Sequence, residues 1–279
     1  MNDIDKLSVT VVLQEEICRD VPVALSKDSP HRIIRFSSEK NWREHLARIE
    51  AHLLSAGGGH PARVLCFVSL DVAKYIRHHF PLLRRGVILQ EEDLAFRSFA
   101  GWLGGVRLLN ESYFILPLDE LKKRKEQLRR IYGQRIFLRP DSSMKQFAGQ
   151  VIHLDDLEFE LNSLIQVHHL TGDLLVVVDR AREIAEDEYR FWLVGGGIAT
   201  MAGYNHRQVQ AKPCPEAIHQ AAERYARWME AVIEPVVADF VMGNDGEPRL
   251  VELNAVSTSG FYAGMDANAL IVAMNRLFA

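Results

Sequence analysis

The chain is poor in cysteine. Three in 279 residues, Cys18, Cys66 and Cys214, are too scattered for a C-x-x-C metal site, and their odd number argues against a disulfide framework. A reducing compartment is implied, and the cytoplasm is the expected location. Long uncharged apolar runs are missing, so no segment reads as a membrane span. The opening stretch MNDIDKLSVTVVLQEE has no basic region followed by an apolar core, so no export signal is expected there. Positive charge is in deficit too, with 33 Lys and Arg against 37 Asp and Glu, a formal charge of −4. That balance disfavours a dedicated nucleic-acid binder, although a basic cleft can sit within a mildly acidic whole. The sequence also lacks internal repeats and low-complexity linkers.

What is present is the composition of an ordinary folded protein, 48% hydrophobic and 25% charged. The length exceeds what one core usually organises, so two domains or a lobed structure are expected. Residues 8–13 and 63–68 read as strands, and Trp42, Leu46, Ile49, Leu53 and Leu54 between them recur at helical spacing. The helix should stop at Gly57-Gly58-Gly59, where helix precedes and strand follows, the reverse of a phosphate cradle. Strands alternating with helices make this an α/β layer. Residues 118–132 read as a single helix with pairs Asp119/Lys123, Glu120/Arg124 and Glu126/Arg130, so its basic run is read as a solvated face. Extended segments at 136–138, 150–153 and 174–178 surround a helix at 154–165. Residues 188–194 and 198–201 read as a hairpin across Gly195-Gly196-Gly197. A helix over 215–237 follows. A second hairpin runs from 240–242 through Gly243-Asn244-Asp245-Gly246 to 249–253, and a helix from Ala267 completes a C-terminal half of α+β character. A domain break is expected near residues 105–118.

The densest chemistry lies in the second hairpin, at Ala238-Asp239-Phe240 and Val251-Glu252-Leu253-Asn254. Side chains alternate along a strand, so Glu252 and Asn254 share a face while Val251 and Leu253 point to the core. The turn at 243–246 can bring Asp239 alongside. Asp, Glu and Asn offer hard oxygen ligands with incomplete coordination, as Mg²⁺ takes when phosphate oxygens fill its other positions. A solvent-facing hairpin with polar outer residues is the plain alternative. Without metal, Asp239 and Glu252 are expected to repel each other. Other signals carry less. Ser142-Ser143-Met144-Lys145 spells the S-x-x-K of penicillin-interacting serine enzymes, but S-D-N and K-T-G partners are missing, as is the K-x-D-G of lysine-adenylate ligases. His78-His79 and His168-His169 are adjacent pairs whose side chains diverge, against zinc.

Asp239, Glu252 thirteen residues on, and Asn254 followed by a small-residue loop resemble the metal-binding signature of the ATP-grasp superfamily. Phe137-Leu138-Arg139-Pro140 resembles that superfamily's strand ending in Lys-Pro, with arginine in place of lysine. The form Arg-Pro-Asp-Ser-x-x-Lys-x-Phe-x-Gly over 139–149, with Glu188-Tyr189-Arg190 and Glu-x-Asn downstream, is similar to the ATP-grasp clade named for its two arginines and a lysine. The resemblance covers the chain from about residue 110 onward. It implies an N-terminal α/β domain, 1–110, before a two-lobed ATP-grasp domain, 111–279, with ATP between the lobes.

The resemblance also implies roles. Arg139, Ser142, Ser143 and Lys145 would meet phosphates. Strand and hinge backbone at Val177, Val178 and Asp179 would hold adenine. Glu188 would face ribose, a role for which Glu183 and Glu186 compete. Arg190 would be directed at substrate or terminal phosphate, and Lys145, Arg190 and Arg139 would be catalytic. Asp239, Glu252 and Asn254 would hold Mg²⁺, two ions in all. The implied activity is that of an ADP-forming ligase. ATP phosphorylates the carboxylate of a small molecule, peptide or protein, and an amine or other nucleophile attacks the acyl phosphate. Many relatives carry arginine two positions before the aspartate, where Val237 stands here. The charge on a transferred phosphoryl then falls to Arg190, Arg139 or Lys145. Two alternatives stay open: a non-catalytic nucleotide-binding module, told from an enzyme by turnover, and a serine acyl enzyme using Ser142 and Lys145, which would label with an acylating probe without ATP.

Overall fold

The computed structural model describes residues 9–18, 31–39, 41–56, 63–101, 104–183, 187–205 and 212–277. The expected glycine stop at 57–59, and Glu186, lie outside these residues. Six buried residues in a row make β1 (Val9–Gln14) an inner strand, the pattern of a strand covered on both faces. β2 (Arg32–Phe36) and β3 (Arg63–Phe67) pair with it in parallel, one on each side. Val12 joins the face covered by α1 (Trp42–Ala56) and α2 (Leu70–His79), where Leu46, Ile49, Leu53, Val72 and Ile76 are buried. Val9, Val11 and Leu13 point to the other face, which packs on the C-terminal part of the chain.

Just past β1, Glu16 accepts hydrogen bonds from the Ser37 hydroxyl at 2.6 Å and the Ser38 N–H at 2.8 Å. Burial opposes its ionisation, yet these bonds outweigh burial and pull the carboxyl down to about 2. The folded value lies below the unfolded one, so this contribution is complete above the unfolded carboxylate range and is lost as pH falls toward 2. Glu16→Gln should therefore flatten the dependence of melting temperature on pH between 4.5 and about 2. An unchanged acid limb in that variant would mean that the Glu16 bonds do not stabilise the fold.

α3 (Phe96–Phe99) leads to β4 (Arg107–Leu108) and β5 (Phe114–Pro117). The single helix expected over 118–132 is two, α4 (Glu120–Lys123) and α5 (Lys125–Tyr132), because Arg124 leaves helical geometry at φ −101°, ψ 9°. Leu121 and Leu128, on either side of the break, still enter one core. Glu120 pairs with Lys123 and Arg124, and Glu126 with Arg129 where Arg130 was expected. Next come β6 (Arg135–Pro140), β7 (Gln150–His153), α6 (Leu157–His168), β8 (Leu175–Arg180), β9 (Asp187–Val194) and β10 (Gly197–Asn205). α7 (Glu216–Met229), β11 (Val236–Met242), β12 (Pro248–Asn254) and α8 (Ala267–Leu277) complete the order. The helix expected over 215–237 thus ends at Met229. Pro235 has no N–H to continue it, and the β-branched pair Val236-Val237 opens a central strand.

The later strands build two sheets, ordered β10-β9-β11-β12-β4 and β5-β8-β6-β7. Tyr189, Phe191, Val236, Ala238 and Phe240 of the five-stranded sheet share a core with Ile218, Ala222 and Tyr225 of α7. The alternate residues Trp192 and Val237 pack with β1 and α8 instead. In the four-stranded sheet Ile136, Leu138, Val176 and Val178 form a separate core with α5 and α6. Phe137 and Arg139, paired with Asp179 and Val177, take the opposite face, which looks onto the five-stranded sheet. The whole is of the α/β class, with antiparallel pairing dominant in its second half.

Candidate active site

A cleft of about 570 Å³ opens between the two larger sheets, with Phe137, Arg139 and Lys145 on one side and Glu188, Arg190 and Glu252 on the other. Strand register assembles the second side. Asp239 on β11 stands directly opposite Arg190 on β9 and Glu252 on β12. Arg190 grips Asp239 with both ends of its fork, Nε to Oδ1 at 2.7 Å and Nη2 to Oδ2 at 2.6 Å. The Asn254 amide nitrogen donates to Asp239 Oδ2 and to Glu252 Oε1, each at 3.0 Å. Glu252 in turn accepts from Lys145 Nζ at 2.7 Å and Arg139 Nη2 at 3.2 Å. Arg139, Lys145, Arg190, Asp239, Glu252 and Asn254 therefore form one continuous network.

The network's three cations outnumber its two carboxylates by one. Burial resists ionisation of Glu252, but Lys145 and Arg139 outweigh that resistance and hold its carboxyl well below the usual carboxylate range. Burial pushes the fully buried Asp239 carboxyl up, against the pull of Arg190. Burial likewise disfavours the Arg190 cation, yet Asp239 keeps it charged. The repulsion expected between Asp239 and Glu252 is real but secondary, because three cations stand between and around them. The expected alternation of β12 also needs correction. A register shift between Asp239 and Phe240 leaves Val251 without a partner, and Val251 lines the cleft beside Glu252 while Leu253 alone enters the core.

The loop after β6 has a clear division of labour. Asp141 anchors it. Its carbonyl accepts from the Phe96 N–H at 2.7 Å, and its carboxylate accepts from the Arg97 N–H at 2.7 Å and from the Arg97 guanidinium. Ser142 lines the cleft and accepts from the Met144 N–H at 3.1 Å, whereas Ser143 turns away to donate to the Glu91 carbonyl at 2.8 Å. Lys145 occupies the left-handed region at φ 43°. Its Nζ is spent on Glu252, so the Ser142–Lys145 pairing required of a serine acyl enzyme is not assembled. Gly149 closes the loop. A Cβ there would come 2.7 Å from Phe137 Cζ, so a side chain at this position would push that cleft-lining ring aside.

Val177, Val178 and Asp179 lie on an inner strand bonded to β5 on one side and β6 on the other. Val177 and Val178 pair on both sides, whereas Asp179 pairs with Phe137 of β6 alone, and residues 181–183 follow beyond the ladders. Asp179 is fully buried, and burial pushes its carboxyl up. Glu188 lines the main cleft, while Glu183 lines a separate one of about 390 Å³ with Arg182 and Arg249. Sequence reading missed Phe96, whose ring lies 5.7 Å from the Arg139 guanidinium, and the tyrosines Tyr204 and Tyr262. A bulge between Ile198 and Thr200 sets Tyr204 opposite Glu188, whereas an unbroken hairpin register would have set it opposite Asp187.

Among the described residues no three His, Cys, Asp or Glu side chains cluster as a metal site. The third oxygen donor is an amide, Asn254. The Asn254 amide nitrogen bridges the two carboxylates; with its oxygen turned toward them instead, the set would suit Mg²⁺ completed by phosphate oxygens.

A family model matches residues 108–274, that of the ATP-grasp domain, family 3 of the clade named for two arginines and a lysine. No curated protein matches the chain. Among solved structures, a RimK domain ATP-grasp protein from Sphaerobacter thermophilus DSM 20745 superposes with TM-score 0.52 at 12% identity, covering 97% of this chain and 100% of that one. D-cycloserine synthetase DcsG superposes with TM-score 0.50 at 15% identity, covering 96% and 98%. At such identities the likeness is one of fold. The family model spans well over half of the chain and contains Arg139, Lys145, Arg190, Asp239, Glu252 and Asn254, and so the protein belongs to family 3 of the two-arginine, one-lysine clade of ATP-grasp domains.

Proposed function

We propose that the protein is an ADP-forming ligase that activates a carboxylate with ATP and passes the acyl group to an amine or other nucleophile. The observation that carries this reading is the network in the cleft, where three cations suited to phosphate face two carboxylates and an amide suited to a metal. With phosphate in the cleft, Lys145 and Arg139 would turn from Glu252 to it, and Asp239, Glu252 and Asn254 would be the residues to hold Mg²⁺. The metal, two ions on this reading, supplies charge neutralisation across the phosphates. Ser142 offers a hydroxyl to the same phosphates, while Ser143 must turn from Glu91 to do so. Glu188 would meet ribose, and the adenine would meet the hinge backbone at the end of β8, at Val177, Val178 and Asp179. The substrate carboxylate attacks the terminal phosphorus and ADP leaves; the nucleophile then attacks the acyl carbon of the acyl phosphate, and inorganic phosphate departs. No protein side chain becomes attached to substrate.

Val237 bears on turnover. It is fully buried in the apolar cluster that holds Trp192 and Phe261, so an arginine there would have neither room nor partner. Arg190 already holds Asp239 and assumes the charge that the position lacks. A non-catalytic nucleotide-binding module is the competing reading favoured by Val237, and ADP release separates the two. We take the ATP-grasp domain to begin with β4, which pairs with β12, slightly ahead of the division expected at 110/111. The carboxylate partner is a small molecule, peptide or protein, and the setting is cytoplasmic. Saturating Mg²⁺-ATP should raise the melting temperature, since a ligand at 100 times its Kd adds about 2.7 kcal/mol to the folded state. No shift and no calorimetric heat would defeat the assignment.

A further inference from the structure

Arg190 is held from two directions. Asp239 takes one edge of its guanidinium, at 2.7 and 2.6 Å. Along another edge stand Tyr204 of β10 and Tyr262 of the loop after β12, with rings stacked at 4.6 Å between centroids and 13° between planes. The guanidinium carbon lies 5.5 Å from the Tyr204 centroid and 5.1 Å from that of Tyr262, and Nη1 donates to the Tyr262 hydroxyl at 3.4 Å. Tyr204 donates its own hydroxyl to Glu188. The two rings therefore join Glu188 and Arg190, residues on one face of β9, into a single rigid wall.

Tyr262 is itself pinned from outside the two larger sheets. The neighbouring Phe261 N–H bonds the Ile17 carbonyl at 2.9 Å, just beyond β1. In the same loop the Ser257 carbonyl accepts from the Val68 N–H at 2.8 Å, and its hydroxyl from the Ile88 N–H at 2.8 Å. The position of the Tyr262 ring is thereby set at the carboxyl ends of the three-stranded sheet.

We propose that Tyr204 and Tyr262 are positioning residues for Arg190, through which the three-stranded sheet fixes the angle at which that guanidinium meets the terminal phosphate of a bound nucleotide. A long side chain with a planar head gains catalytic value only when its plane is fixed before the ligand arrives. The inference rests on the nucleotide reading above. It is separable from a packing role, because fixing Arg190 for the terminal phosphate affects a triphosphate and not a diphosphate.

The test is calorimetric titration of Mg²⁺-ATP and Mg²⁺-ADP into the full chain, its Tyr262→Leu variant and its Tyr262→Phe variant. Tyr262→Leu is expected to weaken Mg²⁺-ATP about tenfold and Mg²⁺-ADP less than about twofold, the scale of one desolvated cation–π contact. Tyr262→Phe keeps the stacked ring and should restore most of the lost affinity. If Tyr262→Leu does not fold, Tyr204→Leu is measured by the same ratio, since the stack needs both rings. Equal losses for both nucleotides, or none for either, with wild-type binding intact, overturn the positioning role alone. A wild-type chain that binds neither nucleotide overturns the nucleotide reading and this inference with it.

Discussion

Glu252→Gln should fold, lose the stabilisation that Mg²⁺-ATP gives the wild type, and cut ATP-dependent turnover about a thousandfold, on the order of 4 kcal/mol of transition-state stabilisation. The substitution changes charge with almost no change of shape, so geometry and charge are tested apart. Relief of carboxylate repulsion predicts a more stable ligand-free variant, but the contacts at Glu252 reverse that expectation. Lys145 and Arg139 both end on this carboxylate, and Arg139 is itself almost buried. Removing the anion leaves two cations facing a neutral amide, the costly way to break an inward ion pair. The ligand-free variant should thus melt below the wild type. A Glu252→Gln protein with the wild-type nucleotide shift and turnover would sink the metal assignment.

Lys145→Ala is expected to reduce turnover roughly a hundredfold, the scale of removing one preorganised donor aimed at developing charge. The fold should survive, because this side chain is about half exposed at 47% and its loop is anchored elsewhere, by Asp141 on Phe96 and Arg97. Arg139 still ends on Glu252, so the loss should be graded and not complete. ADP release and Mg²⁺-ATP affinity measure the effect. Unchanged values for both would return the stretch 139–149 to the status of a surface loop.

Much of this site could be read in the sequence because its chemistry sits at fixed offsets along strands. Glu252 and Asn254 two apart, Asp239 across a tight turn, and Arg139 at a strand end all follow from alternation and turn length. What escaped reading was whatever a bulge or a distant element decides. Val251 reached the cleft and Tyr204 reached Glu188 through register shifts that no alternation rule foresees. Tyr262 and Phe96 are brought in by tertiary packing from remote segments. The overlong helix at 215–237 failed for a more local reason, since Pro235 and the valine pair were there to be weighed against the helical run. The break at Arg124 has no sequence signal that we can identify.

The distribution of cores decides which contacts in the cleft depend on its width. Val9, Val11 and Leu13 share their cluster with Trp192, Val237 and α8, which fuses the three-stranded and five-stranded sheets into one block. The four-stranded sheet has its main core apart, while Val177 of β8 enters the cluster of the five-stranded sheet. Arg139 and Lys145 ride on that separate sheet, whereas Arg190, Asp239, Glu252 and Asn254, together with Tyr204 and Tyr262, belong to the block. The two contacts to Glu252 therefore cross the cleft, whereas the Arg190–Asp239 fork lies between neighbouring strands of one sheet. The molecule divides its machinery between two walls, one that settles the orientation of Arg190 within a single sheet and one that reaches across the cleft with the other two cations.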